Sequence, residues 1–235
     1  LQLPEDGRVL EVGPGTGALT QFLPKEKLKL IEIDHESVAY LQTHFPFIQD
    51  RILQRDFLRM PLEEAFDGLA FSLVGNFPYN ISSQILFHML DHRRLIPEMV
   101  GMFQKEVALR IAAPHGSKTY GILSVLTQAF YQVDYLFDVP PGAFNPPPKV
   151  DSAVIRLQAI EPLPDIPYSR LKALVKMAFN QRRKTLRNAL KSMQIDELLN
   201  DLQISGRRAE QIDVGTFIDL AIRIEQTDGS NPAFN

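Results

Sequence analysis

The sequence contains no cysteine among its 235 residues. That absence excludes disulfide bonds, thiolate metal sites and cysteine nucleophiles, and it is typical of proteins from a reducing compartment. Long hydrophobic runs are absent as well. The longest stretch without a formal charge, residues 68–90, is interrupted by asparagines and serines, which excludes a membrane-spanning helix. We therefore expect a cytoplasmic protein with no membrane partner.

The chain has little excess charge of either sign, because 25 basic and 28 acidic residues give a net charge of -3. Overall charge therefore gives no indication of a nucleic-acid partner. One segment differs, since residues 166–195 contain no aspartate or glutamate. The basic residues of that segment are Arg170, Lys172, Lys176, Arg182, Arg183, Lys184, Arg187 and Lys191. We interpret them as a local positive patch.

The first 160 residues alternate short apolar runs with helical patterns. The strand-like runs are residues 8–13, 28–33, 71–76 and 99–103, and the helical stretches are residues 17–23, 36–44 and 82–90. Such alternation predicts an α/β fold with a parallel, doubly wound sheet. Ser82 is the expected N-cap of its helix. Residues 132–139 and 151–159 are rich in β-formers and are predicted to extend the sheet as a hairpin.

A proline-rich linker at residues 159–167 separates this pattern from a second one. The residues beyond it show helical periodicity, with helices expected at residues 196–202 and 214–226 and a frayed tail at residues 229–235. We therefore predict two domains, a catalytic one over residues 1–162 and a small helical one over residues 163–235.

A glycine-rich loop, EVGPGTG at residues 11–17, follows the first strand. Gly13 and Gly15 allow a sharp turn and a close approach of the backbone to a ligand. Glu32 ends the second strand, where a carboxylate can accept hydrogen bonds from both ribose hydroxyls of a nucleoside. The Gly-x-Gly-x-Gly spacing suits a nucleoside without phosphates, such as S-adenosylmethionine, better than a dinucleotide. An ordinary tight turn is the alternative.

Asp56 follows a further strand candidate between the runs at residues 28–33 and 71–76, which makes that candidate the third strand and the run at 71–76 the fourth, and it would border the same crevice. A carboxylate at that point can accept a hydrogen bond from the amino group of adenine. A lone aspartate in a loop is also typical of a turn residue, so both interpretations stay open.

The sequence Asn76-Phe77-Pro78-Tyr79 closes the fourth strand, at the carboxyl end of the sheet. The amino group of adenine is a poor nucleophile because its lone pair is delocalised into the ring. An asparagine oxygen and a backbone carbonyl, held by a rigid proline, can accept its hydrogens and point the nitrogen at an electrophilic methyl group. Tyr79 offers a flat face to a base removed from its stack. A proline turn that only caps the strand is the alternative.

At this point the sequence resembles a known family. The segments EVGPGTG, IEID, RDF and GNFPYNISS are similar to those of the adenine-N6 rRNA dimethyltransferases, and QKEVALRI, FNPPPKVDSAVIRL and FNQRRKTLRNAL are similar to the KsgA/RsmA branch, which modifies small-subunit rRNA. The resemblance covers residues 8–225. The family's Gln-Asn-Phe-Leu element, which covers the cofactor ahead of the first strand, is not in this sequence.

The resemblance implies a Rossmann-like methyltransferase sheet with a small C-terminal helical domain. It implies transfer of methyl groups from S-adenosylmethionine to two adjacent adenosines near the 3′ end of small-subunit rRNA. The cofactor positions carried over are Gly13, Gly15, Glu32, Asp56 and Asn76, and the catalytic positions are Asn76, Phe77, Pro78, Tyr79 and Phe144. Phe144 matches the family's second base-stacking aromatic and stands in a loop with five prolines within nine residues, which we expect to be stiff.

The candidate RNA-binding residues are Arg182, Arg183, Lys184 and Arg187. Helical spacing predicts Arg183, Arg187 and Lys191 on one face of an amphipathic helix. Phosphate contacts of this kind supply salt-dependent affinity and do not read sequence. A merely solvated helix face is the alternative.

The remaining predictions concern partners and competing functions. His88 and His92 are interpreted as surface residues, because no third ligand for a metal accompanies them. The expected partner is a small-subunit precursor with its rRNA, bound by a monomer. The competing functions are a large-subunit rRNA methyltransferase of the macrolide-resistance type, a noncatalytic ribosome-assembly factor with the same fold, and a nicotinamide dehydrogenase, which would leave the basic segment unexplained.

Overall fold

A seven-stranded mixed sheet forms the centre of the fold in a computed structural model of the chain, which describes residues 7–229. The strands are β1 Val9–Val12, β2 Leu28–Glu32, β3 Ile52–Gln54, β4 Ser72–Asn76, β5 Glu98–Gln104, β6 Tyr131–Val139 and β7 Ser152–Ala159. Their order across the sheet is β3-β2-β1-β4-β5-β7-β6. The first five strands pair in parallel, and β7 runs antiparallel to β5.

The four apolar runs in the sequence are confirmed as strands β1, β2, β4 and β5. All four residues of β1 are buried, as are the first four of β4. Continuous apolar runs are typical of inner parallel strands, because helices cover both faces of such a sheet. The predicted extension of the sheet is confirmed as well, since β6 and β7 form its far edge.

Eight α-helices are described within residues 7–229. They are α1 His35–His44, α2 Ser82–Asp91, α3 Lys105–Ile111, α4 Ile122–Gln128, α5 Tyr168–Asn180, α6 Leu186–Ala189, α7 Asp196–Asp201 and α8 Val214–Gly229. Helices α1, α2, α7 and α8 confirm predicted segments. None of the described helices is both long and apolar enough to cross a bilayer.

Two local predictions near the glycine loop and the Asn-Phe-Pro-Tyr turn are wrong. Residues 17–23 form turns and one short 3-10 segment, Thr20–Phe22, because Gly17 has a φ of 79° that a right-handed helix does not allow. Ser82 is not an N-cap but the first residue of α2. Its hydroxyl donates a hydrogen bond to the carbonyl of Tyr79 at 3.1 Å and so holds the end of the turn.

The chain forms two compact units, and each is discontinuous in sequence. The first comprises the described part of Leu1–Ala108 together with Gln132–Ala159, and it contains the sheet. The second comprises Leu109–Tyr131 and the described part of Ile160–Asn235. The division into domains at residues 162 and 163 stays a prediction. The predicted tail lies, apart from Gly229, outside the described residues.

The amphipathic helix predicted through the basic segment is wrong. Helix α5 ends at Asn180, and a turn precedes the four-residue helix α6. Backbone pairing with another segment causes the break, because Leu186 N–H donates to the carbonyl of Arg207 at 2.7 Å, and Thr185 forms a β-bridge with Arg208. Arg183, Arg187 and Lys191 therefore do not share a helix.

Candidate active site

The glycine loop lies at the carboxyl end of β1 and turns through left-handed backbone conformations. Gly13 has a φ of 66° and Gly15 a φ of 53°, values that residues with a β carbon adopt only at a cost. Gly13 N–H still donates to the carbonyl of Ile31 at 3.0 Å, so the sheet continues up to the loop. Nothing lies within 4 Å of the position of a β carbon on Gly15, which leaves open space beside the loop.

The carboxylate of Glu32 is held at the end of β2 by three backbone donors. Its Oε1 accepts from the N–H groups of Ile33 at 2.9 Å and Asp34 at 3.1 Å, and its Oε2 accepts from Gly15 N–H at 3.2 Å. A carboxylate has about four acceptor positions, so this one retains capacity for a further donor. The glycine loop and the acid therefore form one rigid group.

The glycine loop and the Asn-Phe-Pro-Tyr turn are immediate neighbours. A β carbon on Gly13 would lie 3.9 Å from Cδ of Pro78. A fixed carboxylate, an open glycine backbone and an amide-bearing turn thus border one crevice at the carboxyl ends of parallel strands, where ligands bind in open α/β sheets. These residues fit an adenosyl group, because its ribose hydroxyls can donate to a carboxylate and its uncharged atoms require no phosphate-binding cations.

Residues of the turn alternate between the surface and the core. Asn76 and Pro78 are exposed and Tyr79 is half-buried, whereas the side chain of Phe77 is 1% exposed. The Phe77 ring packs against that of Phe103 with centroids 5.2 Å apart. The side chain of Phe77 therefore anchors the turn in the core, between the exposed Asn76 and Pro78.

A pocket of about 380 Å³ opens above this turn. It is lined by Asn76, Phe77, Pro78, Tyr79, Phe144, Pro146, Pro147 and Pro148. The structure therefore brings Phe144 and its proline loop to the same cavity as the turn, although about 65 residues separate them in the chain. The cavity has aromatic and proline walls with an amide at one side, which suits a flat heteroaromatic ring.

Asp56 follows β3 at the same edge of the sheet and organises its own turn. Its Oδ1 accepts from Leu58 N–H at 2.9 Å, and its Oδ2 lies 3.4 Å from Nε of Arg59. These contacts are those of a turn residue. An additional contact with a ligand stays a prediction.

Sequence reasoning missed two side chains near the site. Glu11, in β1, is buried and accepts a hydrogen bond from the Thr20 hydroxyl at 2.8 Å across the glycine loop. Burial raises the pKa of the Glu11 carboxyl to about 7, and the Thr20 bond opposes that shift. The sequence did contain a signal for Glu11, because it is an acidic residue inside an otherwise apolar strand. Ser152 hydrogen-bonds the hydroxyl of Tyr79, and 73 positions of separation left no local signal for that pair.

His88 in α2 and His92 directly after that helix are less exposed than predicted. His88 is half-buried, and its Nε2 hydrogen-bonds the carbonyl of Met60 at 3.0 Å. Burial lowers the pKa of His88. His92 lies 3.5 Å from the carboxylate of Glu63. Within residues 7–229, no group of three or more potential ligands could hold a metal ion.

The candidate RNA-binding residues lie in the second unit and differ in their contacts. Arg182 donates to the carbonyl of Lys118 at 2.8 Å. Arg187 forms an ion pair with Asp196 at 3.1 Å and donates to Oδ1 of Asn200 at 3.1 Å. The side chains of Arg183 and Lys184 are exposed and contact no partner among residues 7–229. All four stay predictions as RNA contacts.

The mixed sheet, the glycine loop after β1 and the acid that ends β2 define a Rossmann-like methyltransferase. A dimethyladenosine transferase from Plasmodium falciparum has a similar structure, with a TM-score of 0.81 at 25% identity over 94% of this chain and 90% of that one. The 23S rRNA methyltransferase ErmE shares the fold, with a TM-score of 0.68 at 23% identity over 93% and 91% of the two chains.

Sequence comparison places the chain within one family of that class. It belongs to the ribosomal RNA adenine dimethylase family, whose model matches residues 1–226. The chain is 53% identical to ribosomal RNA small subunit methyltransferase A of Phocaeicola vulgatus, over 92% of this chain and 79% of that protein. It is 48% identical to the protein of the same name from Flavobacterium johnsoniae, over 96% and 87%. The resemblance stated from the motifs is confirmed.

Proposed function

We propose that this enzyme transfers methyl groups from S-adenosylmethionine to N6 of two adjacent adenosines near the 3′ end of small-subunit rRNA, giving N6,N6-dimethyladenosines during ribosome biogenesis. Relatives that are about half identical are named small subunit methyltransferases, which supports the choice of rRNA. The observation that carries the chemistry is the proximity of Gly13 to Pro78, whose Cδ lies 3.9 Å from the position of a β carbon on Gly13, because it puts a nucleoside-binding loop beside an amide-bearing turn.

S-adenosylmethionine would be held by Gly13, Gly15, Glu32, Asp56 and Asn76, and when bound it supplies an electrophilic methyl group. The backbone N–H of Gly15 already fixes one oxygen of Glu32, so the carboxylate is oriented before its ligand arrives. Preorganisation of this kind strengthens binding, because fewer torsions are lost on association.

The chain's own contribution to catalysis would be to hold the adenine amino group. The exposed amide of Asn76 and a backbone carbonyl of the turn accept its hydrogens and direct the nitrogen lone pair towards the cofactor crevice. Positioning of this kind provides effective molarities of about 10⁵–10⁸ M. Tyr79 and Phe144 present flat faces on which the extruded base stacks.

RNA affinity would come from Arg182, Arg183, Lys184 and Arg187 through phosphate contacts. We further propose that the enzyme acts as a monomer on a small-subunit precursor, because one chain supplies every wall of the described pocket. Because the proposed substrate is a precursor of the small subunit, the activity would take place where that subunit is assembled, in the cytoplasm.

Transfer of labelled methyl groups to undermethylated small subunits tests this function. We expect the wild type to label the small-subunit rRNA and Asn76→Ala to be slower by about 10²-fold or more, as for other lost contacts to a reacting centre. The matched control is Asn80→Ala, which removes an exposed amide four positions away and should keep wild-type activity.

Three outcomes would contradict the proposal. Equal labelling by wild type and Asn76→Ala excludes the mechanism. Primer extension that detects modification only in large-subunit rRNA identifies the macrolide-resistance type of activity. Binding to small subunits without any labelling identifies a noncatalytic assembly factor.

A further inference from the structure

We propose that Ser152 is a positioning residue that holds the ring of Tyr79 in its base-stacking orientation. This inference rests on the proposed function and adds a residue to its site. Ser152 is the first residue of β7, and its Oγ hydrogen-bonds the phenolic oxygen of Tyr79. Nothing in the motifs assigns a role to this serine.

The hydroxyl of Ser152 occupies a fixed place in the sheet. The residue is completely buried and pairs with Gln104 in the antiparallel ladder between β5 and β7. A buried hydroxyl is costly unless it forms a hydrogen bond, and the bond to Tyr79 satisfies this one. Ser152 can therefore serve as an anchor, because its own backbone cannot shift without breaking the ladder.

The Ser152 bond restrains the end of Tyr79 that the turn leaves free. The backbone end is already held, since the Tyr79 carbonyl accepts from the Ser82 hydroxyl at 3.1 Å. The side chain still has two torsions between its Cα and the ring. A hydrogen bond at the far end of the ring restricts both, so that the flat face stays directed at the pocket.

Ser152 also connects the two sides of the pocket. The loop that carries Phe144 and the prolines leads directly into β7, whereas Tyr79 belongs to the turn after β4. The bond between Tyr79 and Ser152 thus joins the two elements that line the cavity. Stacking of a base between two aromatic rings depends on their separation and tilt, and this bond constrains one of the rings relative to the other.

A double-mutant cycle tests the proposal, with Ser152→Ala, Tyr79→Phe and the double variant assayed on undermethylated small subunits. Each single change removes the same hydrogen bond and keeps the aromatic ring. We expect each to lower kcat by about 3- to 10-fold, the effect of one hydrogen bond, with the KM for S-adenosylmethionine unchanged. The double variant should be no slower than either single one.

The matched control is Ser72→Ala, which changes another completely buried serine at the opposite end of the sheet, where β4 begins. It should lower the melting temperature and leave kcat unchanged, which separates positioning from packing. If Ser152→Ala does not fold, Tyr79→Phe still breaks the bond from the other side, and its unchanged kcat would overturn the proposal. If the wild type is active but the losses of the two single variants add fully in the double variant, only the role of Ser152 is overturned. The same holds if Ser152→Ala loses no activity. A wild type without activity on small subunits overturns the proposed function with it.

Discussion

The ring of Phe77 fills the side-chain space of Gly101. The glycine is in β5, pairs in register with Gly75 of β4, and a β carbon placed on it would overlap Cε2 of Phe77. A β carbon on Gly75 would lie 2.7 Å from Cε1 of the same ring. Two glycines on adjacent strands thus leave the space that the Phe77 ring occupies. Because Phe77 stands between Asn76 and Pro78 in the sequence, the sheet determines where the turn lies.

We expect Gly101→Ala to displace Phe77 and with it the turn. The added methyl group overpacks a closed site, which should lower the free energy of unfolding by about 1–3 kcal/mol and should also reduce kcat. Chemical denaturation and methyl transfer measure the two effects. Phe77→Leu in the same chain removes ring atoms and should restore part of the stability.

Gly206→Ala is the control for this substitution, because nothing lies within 4 Å of a β carbon at that position. It should change the free energy of unfolding by no more than about 1 kcal/mol. Equal effects of the two alanine substitutions would contradict the packing argument.

Glu32→Gln should weaken cofactor binding more than it slows the chemical step. The three N–H groups around the carboxylate would then meet an amide whose nitrogen also donates, so at least one contact is lost or repulsive. We expect the KM for S-adenosylmethionine to rise about 10- to 100-fold, as for a charge-assisted hydrogen bond. Glu36→Gln, an exposed acid in the first turn of α1, provides the control, and an equal KM in both variants would exclude the role of Glu32.

The buried carboxyl of Glu11 should make stability depend on pH. Burial raises its pKa from 4.5 to about 7, so between these values the folded protein holds a proton that the unfolded chain releases. Stability should therefore fall as pH rises from 4.5 to 7, by about 3 kcal/mol in total. Glu11→Gln should remove that contribution, which urea denaturation at pH 5, 6, 7 and 8 can measure. Parallel stability curves for the two proteins would contradict the shift.

Arg183→Ala combined with Lys184→Ala should weaken RNA binding and reduce its dependence on salt. Each lost contact should lower the slope of log K against log salt by about 0.7 for single-stranded RNA. Arg94→Ala, an exposed cation ahead of β5, is the control. An unchanged slope in the double variant would remove these residues from the interface.

Arg187 should behave differently from its exposed neighbours, because it already pairs with Asp196. Both side chains are more than half exposed, so Arg187→Ala should lower the free energy of unfolding by no more than about 1 kcal/mol. Its effect on RNA affinity should be smaller than that of Arg183→Ala, and a titration with both single variants compares them. A larger loss for Arg187→Ala would reverse this order.

The parts of the fold that follow from local pattern could be predicted from the sequence. β1 and β4 are short, mostly apolar runs, and the glycine loop and the Asn-Phe-Pro-Tyr turn stand next to them in the chain. Because the carboxyl ends of parallel strands meet at one edge of a sheet, topology alone predicts that the glycine loop and the turn lie close together. The arrangement of Phe144 opposite the turn was predicted only through the family resemblance.

The helix wrongly predicted at residues 17–23 fails for a local reason, the positive φ of Gly17, but the other main errors and omissions involve contacts between distant segments. Helical spacing from Arg183 to Lys191 was real, but pairing of Thr185 with Arg208 interrupts the helix. Residues far apart in sequence also meet in the hydrogen bond between Tyr79 and Ser152 and in the packing of Phe77 against Gly101. Periodicity describes one element at a time and carries no information about such pairs.

The discontinuous course of the chain limits how the protein can be cut. The backbone passes from one compact unit to the other three times, after residues 108, 131 and 159. Helix α4 packs on α5 and α8, so a fragment ending at residue 162 would lose that packing and expose apolar surface of α4 to water. Such a fragment would therefore be prone to aggregation. A soluble version of the first unit would need residues 109–131 replaced with a short polar connection.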